Sequence, residues 1–476
     1  MRRLTLMAAA ALLSACALGP DYQRPDLPLP AQFRLDTSGS TDSLGDSGWW
    51  QVYRDPTLAE LIARALQNNL DVRIAAARVD QARASLQATG LQLLPQLSAG
   101  ASLGEQRVST FSAPLPDRRF ERSSLSADLS WELDFWGRIR RTREAARADL
   151  LASDASRQAV KVSLVAAVAT QYFTLLALDQ QLDITRATLE LRKAFVDLTQ
   201  AQFERGTVSG LDVATAQAQL ATAQANVPTL ERRIAQTENQ LSLLLGGDPA
   251  AVARPPHELA SQPVSPSLPP GLPSSLLERR PDLRQAEQAL VAANARVGVA
   301  KAALFPTISL TGSYGSLSNE MSQLFTSPAE NWSIGVNLLQ PLLDADRNRY
   351  QVDFADAGRR VALLGYERSV RTAFREVADA LVGRQKTAEY EAAQAALVSA
   401  QNDAHEIALA RYKVGYSSYF DVINADRDLF AAKLTLTQAR LDTLLASVQL
   451  YQALGGGWQA APLLLWRQPP VAAAGG

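Results

Sequence analysis

The chain has 476 residues, with 47 Lys+Arg balanced by 48 Asp+Glu, two His and one Cys. Balanced charge leaves no electrostatic footprint for a nucleic-acid partner. The single cysteine forbids an internal disulfide and a cysteine-built metal site. The length exceeds one ordinary core, and Ala, Leu, Gln and Arg favour helix.

Residues 1–15 read as a signal peptide. Met1-Arg2-Arg3 supplies positive charge, and Leu4 to Leu13 is apolar but too short to span a bilayer. Leu13-Ser14-Ala15-Cys16 resembles the bacterial lipobox. That resemblance implies a diacylglyceryl group on Cys16, palmitate-type acyl chains and Cys16 as the mature N-terminus. Ala17 follows instead of an acid, which in such lipoproteins favours the outer membrane. Each buried methylene contributes roughly 0.8 kcal/mol, so a multiply acylated Cys16 would hold firmly. Residues 16–56 then form a lipidated extension. No later run reaches 18 uninterrupted apolar residues, so any membrane crossing must be made by a β-barrel.

A first repeat occupies 57–245. An Ala-rich helix is predicted over 57–94, interrupted locally at Asn68-Asn69 and ended by Pro95. Strands follow near 96–110 and 121–136. In the second, Leu125, Ala127, Leu129, Trp131, Leu133 and Phe135 alternate with polar residues, which gives one apolar and one polar face. From Arg138 to Arg205 there is neither Gly nor Pro, enough for about 100 Å of helix. A Gly-containing break at Gly206 turns the chain back as an antiparallel helix. A proline-rich linker, 246–275, leads to a second repeat over 276–456, with strands near 307–318 and 331–341 and a second long helix pair broken at Gly415. Residues 457–476 form a tail. The halves align: Asp71 with Asp282 and Pro95 with Pro306, then Gly206 with Gly415 and Asp212 with Asp421.

Four amphipathic strands are too few to close a membrane barrel, and open edges in lipid would leave backbone groups unsatisfied at several kcal/mol each. Three copies supply twelve strands. The expected fold is therefore mainly α with a small membrane β-barrel. It is a homotrimer whose 12-stranded barrel continues into a periplasmic α-barrel of long antiparallel helices.

Several motifs, in order, carry a resemblance to the TolC-like outer membrane factor family, in its NodT-type lipoprotein branch. They are Cys16-Ala17-Leu18-Gly19-Pro20-Asp21-Tyr22, Trp49-Trp50, Asp55-Pro56-Thr57-Leu58, Glu132-Leu133-Asp134-Phe135-Trp136-Gly137-Arg138 and Glu278-Arg279-Arg280-Pro281-Asp282-Leu283-Arg284-Gln285-Ala286-Glu287. The resemblance implies a periplasmic membrane-fusion adaptor and an inner-membrane efflux pump, of the proton-driven kind, as partners. It implies a passive exit duct for drugs or other small molecules in the bacterial outer membrane, with outer-membrane lipid around it.

Such a duct needs a lined path and a gate; no catalytic residue, metal ligand or cofactor is expected beyond the covalent lipid. A ring of Asp421 carboxylates in a trimer would favour cations at a constriction. The resemblance puts a constriction acid at Asp421 and a coil-tethering tyrosine at Tyr412. A second family acid is here Asn424, and a tethering arginine is Ser417. Asp212 is the first-repeat counterpart of Asp421, and both acids equally suit the first turn of a return helix. The turns Gly206-Thr207-Val208-Ser209 and Gly415-Tyr416-Ser417 are candidate adaptor contacts, or plain turn chemistry. Arg279-Arg280-Pro281-Asp282 reads as a helix start. His257 and His405 have no ligand partner nearby in sequence. The rival functions are an exit duct for polypeptides or metal ions, and a pore-less periplasmic lipoprotein scaffold. The strands oppose the scaffold, and the scarcity of Met and His opposes metal export.

Overall fold

A computed structural model describes residues 17–28, 33, 48, 53–107, 109, 111, 119–254, 259, 262, 275–343 and 345–456. Cys16 and the signal peptide, Trp49-Trp50, much of the proline-rich linker with His257, and the tail 457–476 lie outside the described residues. In chain order the elements are α1 (Pro56–Asn68), α2 (Leu70–Leu91), β1 (Gln96–Arg107), β2 (Arg119–Glu132), α3 (Arg138–Glu204) and α4 (Gly210–Leu244). They continue as α5 (Leu276–Arg279), α6 (Pro281–Ala302), β3 (Thr307–Ser318), β4 (Glu330–Leu339), α7 (Ala345–Lys413) and α8 (Tyr419–Ala453). Two compact units result. The first takes residues up to Leu27, Ala77–Asp154 and Arg284–Arg368; the second takes Pro28–Ala76, Ala155–Leu283 and Ser369 onward.

The first unit holds one antiparallel sheet in the order β1-β2-β3-β4. Each repeat contributes a hairpin, and β2 pairs with β3 to join them. The register sets Leu97 opposite Leu129, Ala101 opposite Leu125, Trp131 opposite Leu310, Tyr314 opposite Trp332 and Val336 opposite Leu310. Directly opposed residues share a face, so most of the large apolar residues of the four strands collect on one side, Leu317 and Leu339 excepted. Ser98, Asp128, Ser313 and Ser333, likewise opposed in turn, collect on the other. That apolar side has no cover among the described residues: Leu97, Trp332, Ile334 and Val336 are each about 70% exposed.

The strand alternation runs on to Phe135 in sequence, yet the β2 ladder ends at Glu132. The reason is local. Asp134 accepts from the backbone N–H groups of Ile139 and Arg140, both at 2.9 Å, and so caps α3. The helix predicted over 57–94 is two helices. Asn69 starts α2 by accepting from the N–H of Asp71 (2.9 Å), and its amide donates to the Leu244 carbonyl (3.0 Å). The chain leaves helix at Leu91, before Pro95.

In the second unit Tyr172, Leu175, Leu176, Leu241 and Leu450 are buried in one apolar core. By length and composition α3 could cross a bilayer, but its apolar run from Leu164 to Ala177 is spent on this core. Asp55 caps α1 through the Leu58 N–H (3.0 Å) and accepts from the buried Tyr172 hydroxyl (2.9 Å). Arg254 bridges Asp179 and Glu238. Pro281 opens α6, and the Arg280 guanidinium is buried against Asp282, Glu376 and the Ala453 carbonyl.

Glycines at positive φ end the helices before each turn, at Gly206, Gly246, Gly415 and Gly455. A Cβ on Gly246 would sit 2.5 Å from the Asn68 carbonyl oxygen, whereas one on Gly206 meets nothing within 4 Å. Gly206→Ala should therefore cost only the left-handed backbone penalty, about 1 kcal/mol. Gly246→Ala should cost about 2 kcal/mol more through the forced backbone shift. Urea unfolding followed by helical circular dichroism checks the difference; equal losses would contradict it.

Candidate functional site

The turns between the long helices, in the second unit, are built twice from the same parts. After α3, the N–H of Thr207 reaches the Gln202 carbonyl (3.0 Å) and that of Gly206 reaches Phe203 (2.8 Å). After α7, Tyr416 reaches Arg411 and Gly415 reaches Tyr412, both at 2.9 Å. These paired bonds satisfy the last carbonyls of each helix and require a left-handed residue, which Gly supplies.

Asp212 and Asp421 then start the return helices. The Asp212 carboxylate accepts from the Ser209 N–H (2.9 Å) and hydroxyl (2.8 Å), while the Ser209 hydroxyl accepts from the Asp212 N–H. The Asp421 carboxylate accepts from the Ser418 N–H and hydroxyl, both at 3.2 Å. Asp421 is exposed and Asp212 half-buried, and each belongs to its own turn. Val208 is half-buried, and Leu211, Val414, Tyr416 and Phe420 leave the two turns with exposed apolar side chains.

Just above the turns the helices are tied together. Tyr412 donates to the Gln202 side-chain oxygen at 2.8 Å, which joins α7 to α3. Ala216, Val422 and Ile423 pack with Tyr419, which stacks obliquely on Phe195 and Tyr412. Burial, with Tyr412 and Asp426 adding, pushes the Tyr419 phenol up to about 12, so it stays neutral. Arg192 on α3 is 6% exposed; it donates to Asp426 on α8 (3.0 Å) and to the Gln219 carbonyl on α4 (3.0 Å), with Phe430 against its face. Asn424 is half-buried, and the Ser417 hydroxyl lies 3.5 Å from the Ala408 carbonyl.

The Arg192 clamp carries no signal in sequence. Its arginine sits in an ordinary helical run, and Asp426-Arg427-Asp428 reads as solvated charge. Its counterparts in the other repeat are Gln401 and Gln217, so the duplication does not point to it either. His405 is half-buried on α7.

The second region, in the first unit, is where strands meet helices. Glu132 takes a two-pronged bond from Arg138 (2.9 and 2.7 Å). The Trp136 indole donates to the Pro306 carbonyl (2.8 Å) and stacks on Phe305, and Trp131 donates to the Leu93 carbonyl (3.0 Å). Residues 17–28 form a strap over this junction. Leu18 donates to the Trp136 carbonyl (3.1 Å), and the buried Arg141 holds the Leu18 and Gly19 carbonyls and Asp21. Asn294 holds the Pro20 carbonyl, and Arg24 with Tyr22 holds Glu287. Gly19 and Gly298 touch so closely that a Cβ on Gly19 would lie 2.5 Å from the Gly298 Cα. Cys16, one residue before this strap, lies outside the described residues.

The model of the outer membrane efflux protein family matches the chain twice, over residues 61–247 and 272–456. The chain is 37% identical over 464 residues to the toluene efflux pump outer membrane protein TtgC of Pseudomonas putida, covering 96% of this chain and 95% of that protein. It is 35% identical over 454 residues to the cation efflux system protein CusC of Escherichia coli, covering 94% of this chain and 97% of that one. Among solved structures, the open state of the Neisseria gonorrhoeae MtrE outer membrane channel superposes with a TM-score of 0.85 at 31% identity, over 93% of this chain and 99% of that chain.

Removing one partner of a buried ion pair strands the other charge, whereas replacing both with apolar groups removes the desolvation cost as well. Asp426→Ala should lower stability by about 2–3 kcal/mol and speed amide exchange at the N-terminal end of α8. The double variant Arg192→Met/Asp426→Leu should recover most of that loss. Hydrogen-exchange mass spectrometry on both variants decides it; a double variant as labile as the single one would refute the pairing energetics.

Proposed function

The chain belongs to the outer membrane efflux protein family, and from that premise we propose that three copies assemble into a channel. The chain is the outer-membrane component of an efflux system, the exit duct through which small molecules leave the cell. In the proposed trimer the four strands of each copy close a 12-stranded barrel, and the long helices form the periplasmic tunnel that continues it. One observation carries this reading. Among the described residues the protomer's sheet has an uncovered apolar face and two outer edges, β1 and β4, with no strand beside them. A threefold ring pairs every edge, turns the apolar face to lipid and leaves the Ser-, Thr- and Asp-bearing face to water.

The lipid is a second part of the proposal. The lipobox-like Cys16 carries acyl chains, and the strap holds Ala17 against Gly137 at the strand–helix junction. The anchor then enters the bilayer beside the barrel. The working partners are a periplasmic membrane-fusion adaptor and a proton-driven inner-membrane pump; the adaptor meets the turns at Gly206–Ser209 and Gly415–Ser417. The relatives' names pair toluene, antibiotic and solvent pumps with a cation pump. With three Met and two His in the chain, the organic class is the one supported here.

The gate is a third part. Three Asp421 carboxylates, held in their helix-start geometry, form the narrowest ring, with Asp212, Asn424 and Tyr412 behind it. The carboxylate that caps a helix in each protomer is the same group that repels its symmetry mates, so both roles are served by one residue.

Two measurements test these assignments. In planar bilayers the wild-type protein should show discrete openings, and Asp421→Ala should raise single-channel conductance and weaken cation preference; unaltered conductance and selectivity would remove Asp421 from the constriction. Cys16→Ser should abolish incorporation of radiolabelled palmitate, and labelling at the wild-type level would remove the anchor.

A further inference from the structure

Between α2 and the start of α3 lies a groove of about 460 Å³ lined by Leu86, Leu93, Arg140, Arg143, Glu144 and Arg147. Its charge is unbalanced. Arg140 is held by Asp134, and the Glu144 carboxylate accepts from Arg141. Arg143 and Arg147 are exposed, and no described side chain forms a hydrogen bond or ion pair with either. The two leucines supply an apolar wall beside two uncommitted guanidinium groups.

The location gives this groove a partner. All four strands join their helices at one end of the sheet: β1 begins there, β2 ends there, β3 begins there and β4 ends there. In a chain whose helices are periplasmic, that end is the inner-leaflet face of the outer membrane. At 1.5 Å per residue, Arg143 lies about 8 Å and Arg147 about 14 Å along α3 from its first residue. The polar headgroup zone is roughly 5–8 Å deep on each side of the hydrocarbon. Side chains on a helix lean toward its N-terminus, here toward the membrane, and arginines extend a further few ångströms by snorkelling. The guanidinium groups therefore reach headgroup depth.

We propose that this groove binds an anionic glycerophospholipid of the inner leaflet. The phosphate is taken by Arg143 and Arg147, with Arg140 behind, and the first methylenes of an acyl chain lie on Leu86 and Leu93. Arginine suits the phosphate through its planar fork of donors. The bound lipid tethers the junction between strands and helices to the inner leaflet. This rests on the sheet being the membrane-spanning part, so conductance is recorded on the same preparations used for lipid binding.

The test is native mass spectrometry of the purified full-length protein in detergent, titrated with phosphatidylglycerol or phosphatidylcholine. Wild type should retain phosphatidylglycerol in preference to phosphatidylcholine. Arg143→Gln/Arg147→Gln should weaken that retention about 30-fold, from two cation–headgroup contacts, while Arg143→Lys/Arg147→Lys keeps most of it. Conductance should be present in all three proteins. Equal retention by wild type and the Gln variant, or equal binding of the two lipids, overturns the site while leaving the channel intact. Inorganic phosphate competing at the affinity of the lipid would make the ligand a soluble anion, and loss of the assembled mass in the Gln variant would make the groove a subunit contact; both overturn the proposal. Absence of conductance in the wild type would instead strike at the membrane reading itself.

Discussion

Unpaired backbone along the outer edges of β1 and β4 sets the terms for the rest of the molecule. In water such an edge invites association; in hydrocarbon it is forbidden, because each orphaned N–H or C=O costs several kcal/mol. A four-stranded sheet cannot curl far enough to pair its own edges. In the proposed trimer, symmetry meets this constraint, each outer edge pairing with a neighbouring copy. The register gathers most of the large apolar residues on one face, Leu317 and Leu339 excepted, so closure of the proposed ring would satisfy hydrogen bonds and burial together. A register slip of one residue would place Trp131 and Val336 with the serines and undo both.

The same sheet must hand over to helices whose period is 3.6 rather than 2. The handover takes only residues 133–137 between β2 and α3. Asp134 does the switching: it keeps the alternating pattern in sequence but turns its carboxylate to two of the first free amides of α3. Gly137 provides the positive φ that lets the chain turn there, and Ala17 occupies the space its missing Cβ leaves. Trp136 and Trp131 cap neighbouring carbonyls with their indoles and set aromatic bulk at the interface, where such rings are stable. The motif from Glu132 to Arg138 is thus one device, in which each residue has a separate mechanical task.

Much of this was legible from residues alone. Strict alternation announced the strands, absence of Gly and Pro announced α3, and the duplication placed the second repeat on the first. What escaped has physical reasons. The end of β2 was hidden because Leu133 and Phe135 keep the apolar phase after the ladder stops, and only the hydrogen bonds of Asp134 reveal the change. The break at Asn69 was visible as a flaw in a helix but not as a cap. Arg192, Arg254 and Arg280 were invisible as buried cations, because a surface arginine and a clamped one look identical until their partners, tens to hundreds of residues away, fold against them. The strap of residues 17–28 is similar: half of its hydrogen bonds run through backbone groups, which every sequence possesses.

Duplication also separates scaffold from specialisation at the helical turns. Features present in both repeats, the terminal glycines Gly206 and Gly415 and the helix-starting pairs Ser209/Asp212 and Ser418/Asp421, are what any such turn needs. Features present in one repeat only had to arise for another reason. Tyr412 stands where the first repeat has Phe203, and Tyr419 stands where it has Gly210. Arg192 and Asp426 stand opposite glutamines in the paired repeat. These unshared residues all meet in one place, where α8 is fastened to α3 and α4 by a buried charge and a stacked phenol, and α7 to α3 by a tyrosine hydrogen bond. Capping alone would not have required them. The asymmetry therefore locates the restraint on the second turn, the one that carries Asp421, and gives a physical reason why two turns of common origin need not move together.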